Sequence, residues 1–102
     1  MKLKEKAVVL NAKDNVATAL ADLEAGTILK LDVGAKTLTV RLTAAVPFGH
    51  KFSLVRIESG ASVIKYGEVM GTATSAIGPG DYVHIHNVAS TRGRSDLAGG
   101  AK

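Results

Sequence analysis

A chain of 102 residues that is 46% hydrophobic, with two Phe, two Tyr and no Trp, supports one domain whose single core is built from Val, Ile, Leu and Ala. The absence of cysteine excludes disulfides, zinc–thiolate sites, iron–sulfur clusters and cysteine nucleophiles. The net charge of +4 does not make a nucleic-acid binder, because the surplus bases Lys2, Lys4, Lys6, Arg92, Arg94 and Lys102 are terminal, while within residues 7–90 Lys13, Lys30, Lys36, Arg41, Lys51, Arg56 and Lys65 are balanced by Asp14, Asp22, Glu24, Asp32, Glu58, Glu68 and Asp81.

Ala7-Val8-Val9-Leu10 reads as a first short strand. Asp14 or Asn15 then caps a helical turn or two through Val16–Ala21, since their side-chain oxygens accept from the first free amides, and Ala25-Gly26 closes it. Thr27–Leu31 reads as a strand. Gly34 turns the chain into Thr37–Leu42, the clearest alternation present, with Leu38, Val40 and Leu42 on one face and Thr37, Thr39 and Arg41 on the other. Val46–Lys51 is a loop, Phe52–Ile57 a strand and Glu58-Ser59-Gly60 a turn. Val63–Gly67 and Val69–Ala73 are two extended pieces broken by glycine. Ile77-Gly78-Pro79-Gly80 turns the chain into a last strand, Tyr82–Val88, and residues 91–102 read as a flexible tail.

Short strands at near-regular spacing with glycine-rich turns predict a mainly β, barrel-like domain over residues 1–90 with one short helix near its start. No internal repeat, linker or low-complexity block stands out. The basic N-terminus has no apolar run long enough for a signal peptide, and no stretch approaches a membrane span, so the expected location is cytoplasmic, with no membrane or nucleic-acid partner.

Three histidines are present, two of them in His84-Ile85-His86. On a strand these two share a face roughly 7 Å apart and both reach one metal ion, yet two ligands are too few for a tight site. The plainer reading has Tyr82, His84 and His86 on a half-exposed polar face while Val83 and Ile85 pack inward. His50 is suited to acid–base work near neutral pH and Lys51 to holding a carboxylate, though an ordinary turn with two solvated residues fits the same spacing. Lys65 is an anion ligand, or a base if burial lowers its pKa, and equally a solvated side chain beside a core Tyr66. No phosphate loop, Ser-His-Asp signature or dinucleotide fingerprint is present.

The segments Val46-Pro47-Phe48-Gly49-His50-Lys51-Phe52, Val63-Ile64-Lys65-Tyr66-Gly67-Glu68-Val69-Met70-Gly71 and Val83-His84-Ile85-His86-Asn87, preceded by Asp14–Leu23 and Ala25-Gly26-Thr27, closely resemble the N-terminal domain of altronate dehydratases. The similarity runs from about Ala7 to Asn87 with the segments in family order. It implies a SAF fold of β-clip architecture, and a role beside a much larger dehydratase part. In altronate dehydratase both parts lie in one polypeptide; in relatives such as sulfolactate sulfo-lyase the small part is a separate subunit. Galactarate-type relatives share the Gly-His-Lys and Lys/Arg-Tyr-Gly-Glu segments without the His-X-His-Asn ending, so His84, His86 and Asn87 point to the altronate or sulfolactate branch.

The resemblance further implies β-elimination of water from a hydroxy acid, with a large dehydratase subunit as partner and a homo-oligomer also open. It implies a divalent metal, Fe2+ or Mn2+, in the assembled enzyme, with metal contact at His84 and His86. It casts His50, Lys51, Lys65 and Tyr66 as catalytic, and Asn87 and Gly67 as substrate-binding. A stand-alone SAF-type carbohydrate-binding or assembly module without catalysis is the alternative.

Overall fold

The computed structural model describes residues 6–90, which fold as a succession of short antiparallel strands. In chain order these are β1 (Ala7–Val8), β2 (Val16–Ala19), β3 (Ile28–Val33), β4 (Lys36–Arg41), β5 (Lys51–Ser53), β6 (Ser62–Lys65), β7 (Glu68–Ala73), β8 (Tyr82–Val83) and β9 (Val88–Ser90). They form a four-stranded sheet in the order β1-β2-β5-β8, a β3-β4 hairpin and a three-stranded sheet in the order β6-β7-β9. The mainly β expectation holds. The β3-β4 hairpin pairs Leu29 with Val40 and Leu31 with Leu38, so the alternation legible in Thr37–Leu42 faces the core as expected.

One turn recurs four times and organises the rest. Gly26, Gly49, Gly60 and Gly80 take φ values of 90, 84, 89 and 85°, a region open to glycine because it has no Cβ. In each case the next residue's amide donates to the carbonyl two residues before the glycine: Thr27 to Glu24, His50 to Pro47, Ala61 to Glu58 and Asp81 to Gly78. Positive φ at the third of four residues closed by such a bond is the type II arrangement. Three residues before each glycine stands a buried aliphatic, Leu23, Val46, Ile57 or Ile77. Leu23 and Val46 exchange backbone hydrogen bonds with each other, as do Ile57 and Ile77. The glycine amides complete the exchange, Gly26 to Leu42, Gly49 to Ala19, Gly60 to Ala73 and Gly80 to Ser53, all at 2.8 Å. The chain thus contains two reciprocal turn pairs, built from a five-residue pattern that does repeat along the sequence although its residue identities hide it.

Each pair has its own core. The first gathers Leu23, Leu29, Leu31, Val40, Leu42, Val46, Phe52 and Leu54 with Ala7, Ala17 and Ala19. The second gathers Ile57, Val63, Ala73, Ile77 and Val83 with Val16. Strand β2 runs between them, sending Val16 into the second core and Ala17 and Ala19 into the first.

That position explains the principal departure from the sequence reading. Residues 16–19 form a strand and not a helix, paired with β1 on one side and β5 on the other. Their small side chains suit the narrow space between two cores, so alanine here reflects packing and not helix propensity. Asp14 and Asn15 do not cap a helix. Asp14 Oδ1 accepts from the Gly67 amide, and Asn15 accepts from Ile64 N and donates to Ser62 O, tying β2 to the β6-β7 hairpin. The strand expected over Phe52–Ile57 ends at Ser53, because Ile57 opens the third recurrent turn. The strand expected over Tyr82–Val88 is also interrupted: residues 84–87 are a tight turn between β8 and β9. Val83 packs inward, but Ile85 is 82% exposed. The expected tail over 91–102, and the terminal bases Lys2, Lys4, Arg92, Arg94 and Lys102, lie outside the described residues.

Candidate functional site

The second recurrent turn delivers His50 to the start of β5, and the fourth delivers Tyr82 to the start of β8. Antiparallel pairing of Lys51 with Val83 and of Phe52 with Tyr82 then brings the two strand starts side by side. His50 Nδ1 and Tyr82 Oη lie 2.6 Å apart, a strong hydrogen bond. The tight turn after β8 folds His84 back over the same place. Its ring stacks on Tyr82 at 5.5 Å between centroids and 12° between planes, and stands 5.0 Å from the ring of His50. His86 packs against Tyr82 from another direction at 5.7 Å. Three imidazoles therefore surround one phenol.

Asn87, buried at 7% exposure, holds this turn together. Its Oδ1 accepts from His84 N at 2.9 Å and its Nδ2 donates to Tyr82 O at 2.8 Å. Its backbone amide also donates to His84 O, and its carbonyl accepts from Thr74 N. Both ends of the side-chain amide are engaged in shaping the loop beneath the rings.

Beside the rings, Lys51 and His84 line a shallow cleft of about 270 Å3 whose other walls include Val63, Met70, Ile85 and Val88. The Lys51 ammonium is held below its ordinary pKa of 10.5, first by burial and then by the positive charge of Lys65. Among the described residues neither lysine has a salt bridge. A half-buried ammonium above an apolar floor, its charge disfavoured first by burial and then by Lys65, is a place where an anion restores charge balance.

The Lys65 Nζ lies 5.0 Å from the Tyr66 ring centroid. Tyr66 itself is 60% exposed and, with Gly67, forms the two-residue turn between β6 and β7. Both have positive φ, 59° and 75°, as a type I′ hairpin requires. The Gly67 amide donates to Asp14, and a Cβ on Gly67 would come within 2.9 Å of the Asn11 side chain. The structure thus assembles His50, Lys51, His84 and His86 into one group, places Asn87 underneath, and leaves Lys65, Tyr66 and Gly67 on the β6-β7 hairpin.

His84 and His86 do not share the face of a strand, so the spacing argument for joint metal ligation fails. Among the described residues no three of His, Cys, Asp and Glu are disposed to hold a metal ion. A complete metal centre does not fit the described residues by themselves. Sequence reasoning also passed over two residues. Tyr82, read as one member of a polar strand face, is the hub of the ring cluster; an aromatic phenol two residues ahead of His84 was the available signal. Asp14, read as a helix cap, is a buried carboxylate whose Oδ2 has no hydrogen-bond partner among the described residues.

Residues 5–91 match the family described as the altronate/galactarate dehydratase SAF domain. Altronate dehydratase of Escherichia coli is 48% identical over 80 residues, covering 78% of this chain and 15% of that protein. The Bacillus subtilis altronate dehydratase is 31% identical over the same length and shares. The (2R)-sulfolactate sulfo-lyase subunit alpha of Chromohalobacter salexigens is 34% identical over 89 residues, covering 83% of this chain and 94% of that subunit. The chain therefore spans about 15% of the altronate dehydratases it matches and nearly all of a sulfo-lyase subunit. Among the described residues no helix is long and apolar enough to cross a membrane.

Proposed function

The chain belongs to the altronate/galactarate dehydratase SAF-domain family, and from that premise we propose that it is the small part of a cytoplasmic hydroxy-acid lyase, completed by a large dehydratase subunit. The observation that carries this reading is the cleft formed by Lys51 and His84 beside the His50–Tyr82–His86 rings. It offers cations and proton-carrying groups but no carboxylate base and no metal-binding trio among the described residues. Such a set is half of an elimination site.

In the reaction a hydroxy acid loses the proton α to its carboxylate, the β carbon–oxygen bond breaks, and the hydroxyl departs as water after taking up a proton. The α-proton is weakly acidic, so the barrier lies in stabilising the enediolate. Lys51 and Lys65 neutralise the substrate carboxylate. His50 donates to the departing hydroxyl. His84 and His86 contact the substrate, or provide part of a metal shell whose remaining ligands come from the large subunit; a divalent ion such as Fe2+ or Mn2+ would supply further charge stabilisation. Asn87 holds the His84 turn in shape, while Gly67, whose missing Cβ makes room for the Asn11 side chain, and the exposed Tyr66 stand at the hairpin tip with no part in the cleft. The large subunit removes the α-proton and chooses among hydroxy acids.

The test is reconstitution. The isolated chain is expected to be inactive on altronate, galactarate and sulfolactate, and addition of the cognate large chain to restore turnover. A His84→Ala, His86→Ala double variant is expected to bind that chain and fail to restore activity. Full-rate turnover by the isolated chain ends the subunit reading. Carbohydrate binding without any partner, together with no effect of a large chain, would make the protein a stand-alone module instead.

A further inference from the structure

The ring cluster contains one residue to which neither the resemblance nor the comparisons give a role. We propose that Tyr82 is a positioning residue for His50: its phenol donates to His50 Nδ1, fixes the imidazole as the Nε2–H tautomer, and thereby makes His50 a hydrogen-bond and proton donor.

The sense of the bond follows from the chemistry of its ends. A phenol oxygen shares its lone pair with the ring and is a better donor than acceptor, whereas a neutral imidazole nitrogen lacking a proton is a strong acceptor. With Nδ1 accepting at 2.6 Å, the one proton of a neutral imidazole resides on Nε2. Among the described residues Nε2 makes no hydrogen bond, so that N–H is not committed within the fold.

Control runs from Tyr82 to His50 because Tyr82 is the better anchored of the two. It is paired to Phe52 through β8, and its carbonyl accepts from the buried Asn87 amide. Its ring packs against the first core and stacks on His84. His50 stands at the end of a turn, its backbone held by Pro47 and Ala19, and its ring is fixed by the phenol alone among side-chain hydrogen bonds. With Nε2–H as its one proton, His50 can protonate a departing hydroxyl as the Tyr82 phenol proton passes to Nδ1, leaving His50 neutral and Tyr82 as the phenolate, and its Nε2 cannot abstract the α-proton. That part of the argument rests on the lyase reading above; the tautomer itself does not.

The experiment is long-range proton–nitrogen NMR of the imidazoles in the 15N-labelled full chain, at a pH where they are neutral. Wild-type His50 is expected to show an acceptor-type Nδ1 and a protonated Nε2. Tyr82→Phe keeps the ring stacked on His84 and removes only the hydroxyl, so His50 is expected to drift towards a mixture of tautomers while the His84 signals stay in place. In the reconstituted enzyme the same variant is expected to lose about tenfold in kcat, the worth of one hydrogen bond, with KM unchanged. A proton on Nδ1 of wild-type His50, or a tautomer that ignores Tyr82→Phe, overturns the proposal. The wild-type spectrum decides even if the variant folds poorly. A tautomer that shifts without any change in kcat upholds the positioning by Tyr82 and removes the proton-donor role assigned to His50.

Discussion

Lys51 carries a measurable electrostatic signature of the cleft. Its ammonium is disfavoured in the folded protein, chiefly by burial and further by Lys65, so its folded pKa lies below the 10.5 of the unfolded chain. Between those two values the unfolded state binds more protons, and stability contributed by this group rises with pH; below the folded value the penalty is fully present. Lys51→Met removes the penalty. The variant is therefore expected to be more stable than wild type at neutral pH, with the difference in urea midpoint narrowing as pH approaches 10.5. Groups common to both proteins cancel in that difference. A difference independent of pH would show that Lys51 is as well solvated when folded as when unfolded.

The recurrent turn makes a graded prediction among four glycines of near-identical φ. A Cβ at Gly26, Gly49 or Gly60 meets nothing within 4 Å, so alanine there costs only the strained backbone, about 1–2 kcal/mol each. At Gly80 the same Cβ is driven into the carbonyl of Arg41, and the cost should be on the order of 3 kcal/mol or more. Chemical denaturation of the four variants checks the order; equal losses would mean that the close approach relaxes freely. These turns also show how much was legible in the residues. The turns at Gly60 and Gly80 and the loop at Gly49 are legible in the sequence, the Gly26 turn reads there as the end of a helix, and the β3-β4 hairpin follows from its alternation. What could not be read was the pairing of Leu23 with Val46 and of Ile57 with Ile77, because contacts across the chain leave no periodicity within it. The helix over Val16–Ala21 failed for the same reason: alanines selected by two facing cores look locally like alanines selected by helix propensity. The candidate site was legible as residue types in the Gly-His-Lys and His-X-His segments. Its geometry was not, since a strand was assumed where Asn87 bends residues 84–87 into a turn.

At the scale of the molecule, two small cores share one strand. Val16 lies in the second and Ala17 in the first, so β2 cannot leave one without leaving the other. Unfolding is therefore expected to be a single transition. Phe52→Ala in the first core and Ile77→Ala in the second should each lower it, by about 3–5 and about 2–5 kcal/mol respectively. Amide exchange read separately over β3-β4 and β6-β7 checks this; two transitions, each moved by only one substitution, would show that the cores fold independently.

The same architecture has a mechanical corollary. His50 is mounted on the first turn pair and Tyr82 on the second, and what joins their mounts is the short β5-β8 pairing, reinforced where Thr43 donates to the Gly80 carbonyl and the Asp81 carboxylate. A hydrogen bond of 2.6 Å tolerates little slippage, so it acts as a gauge laid across the joint between the two halves. Any chain that grips one half and levers it against the other changes the reading of that gauge directly, at the atoms nearest the cleft.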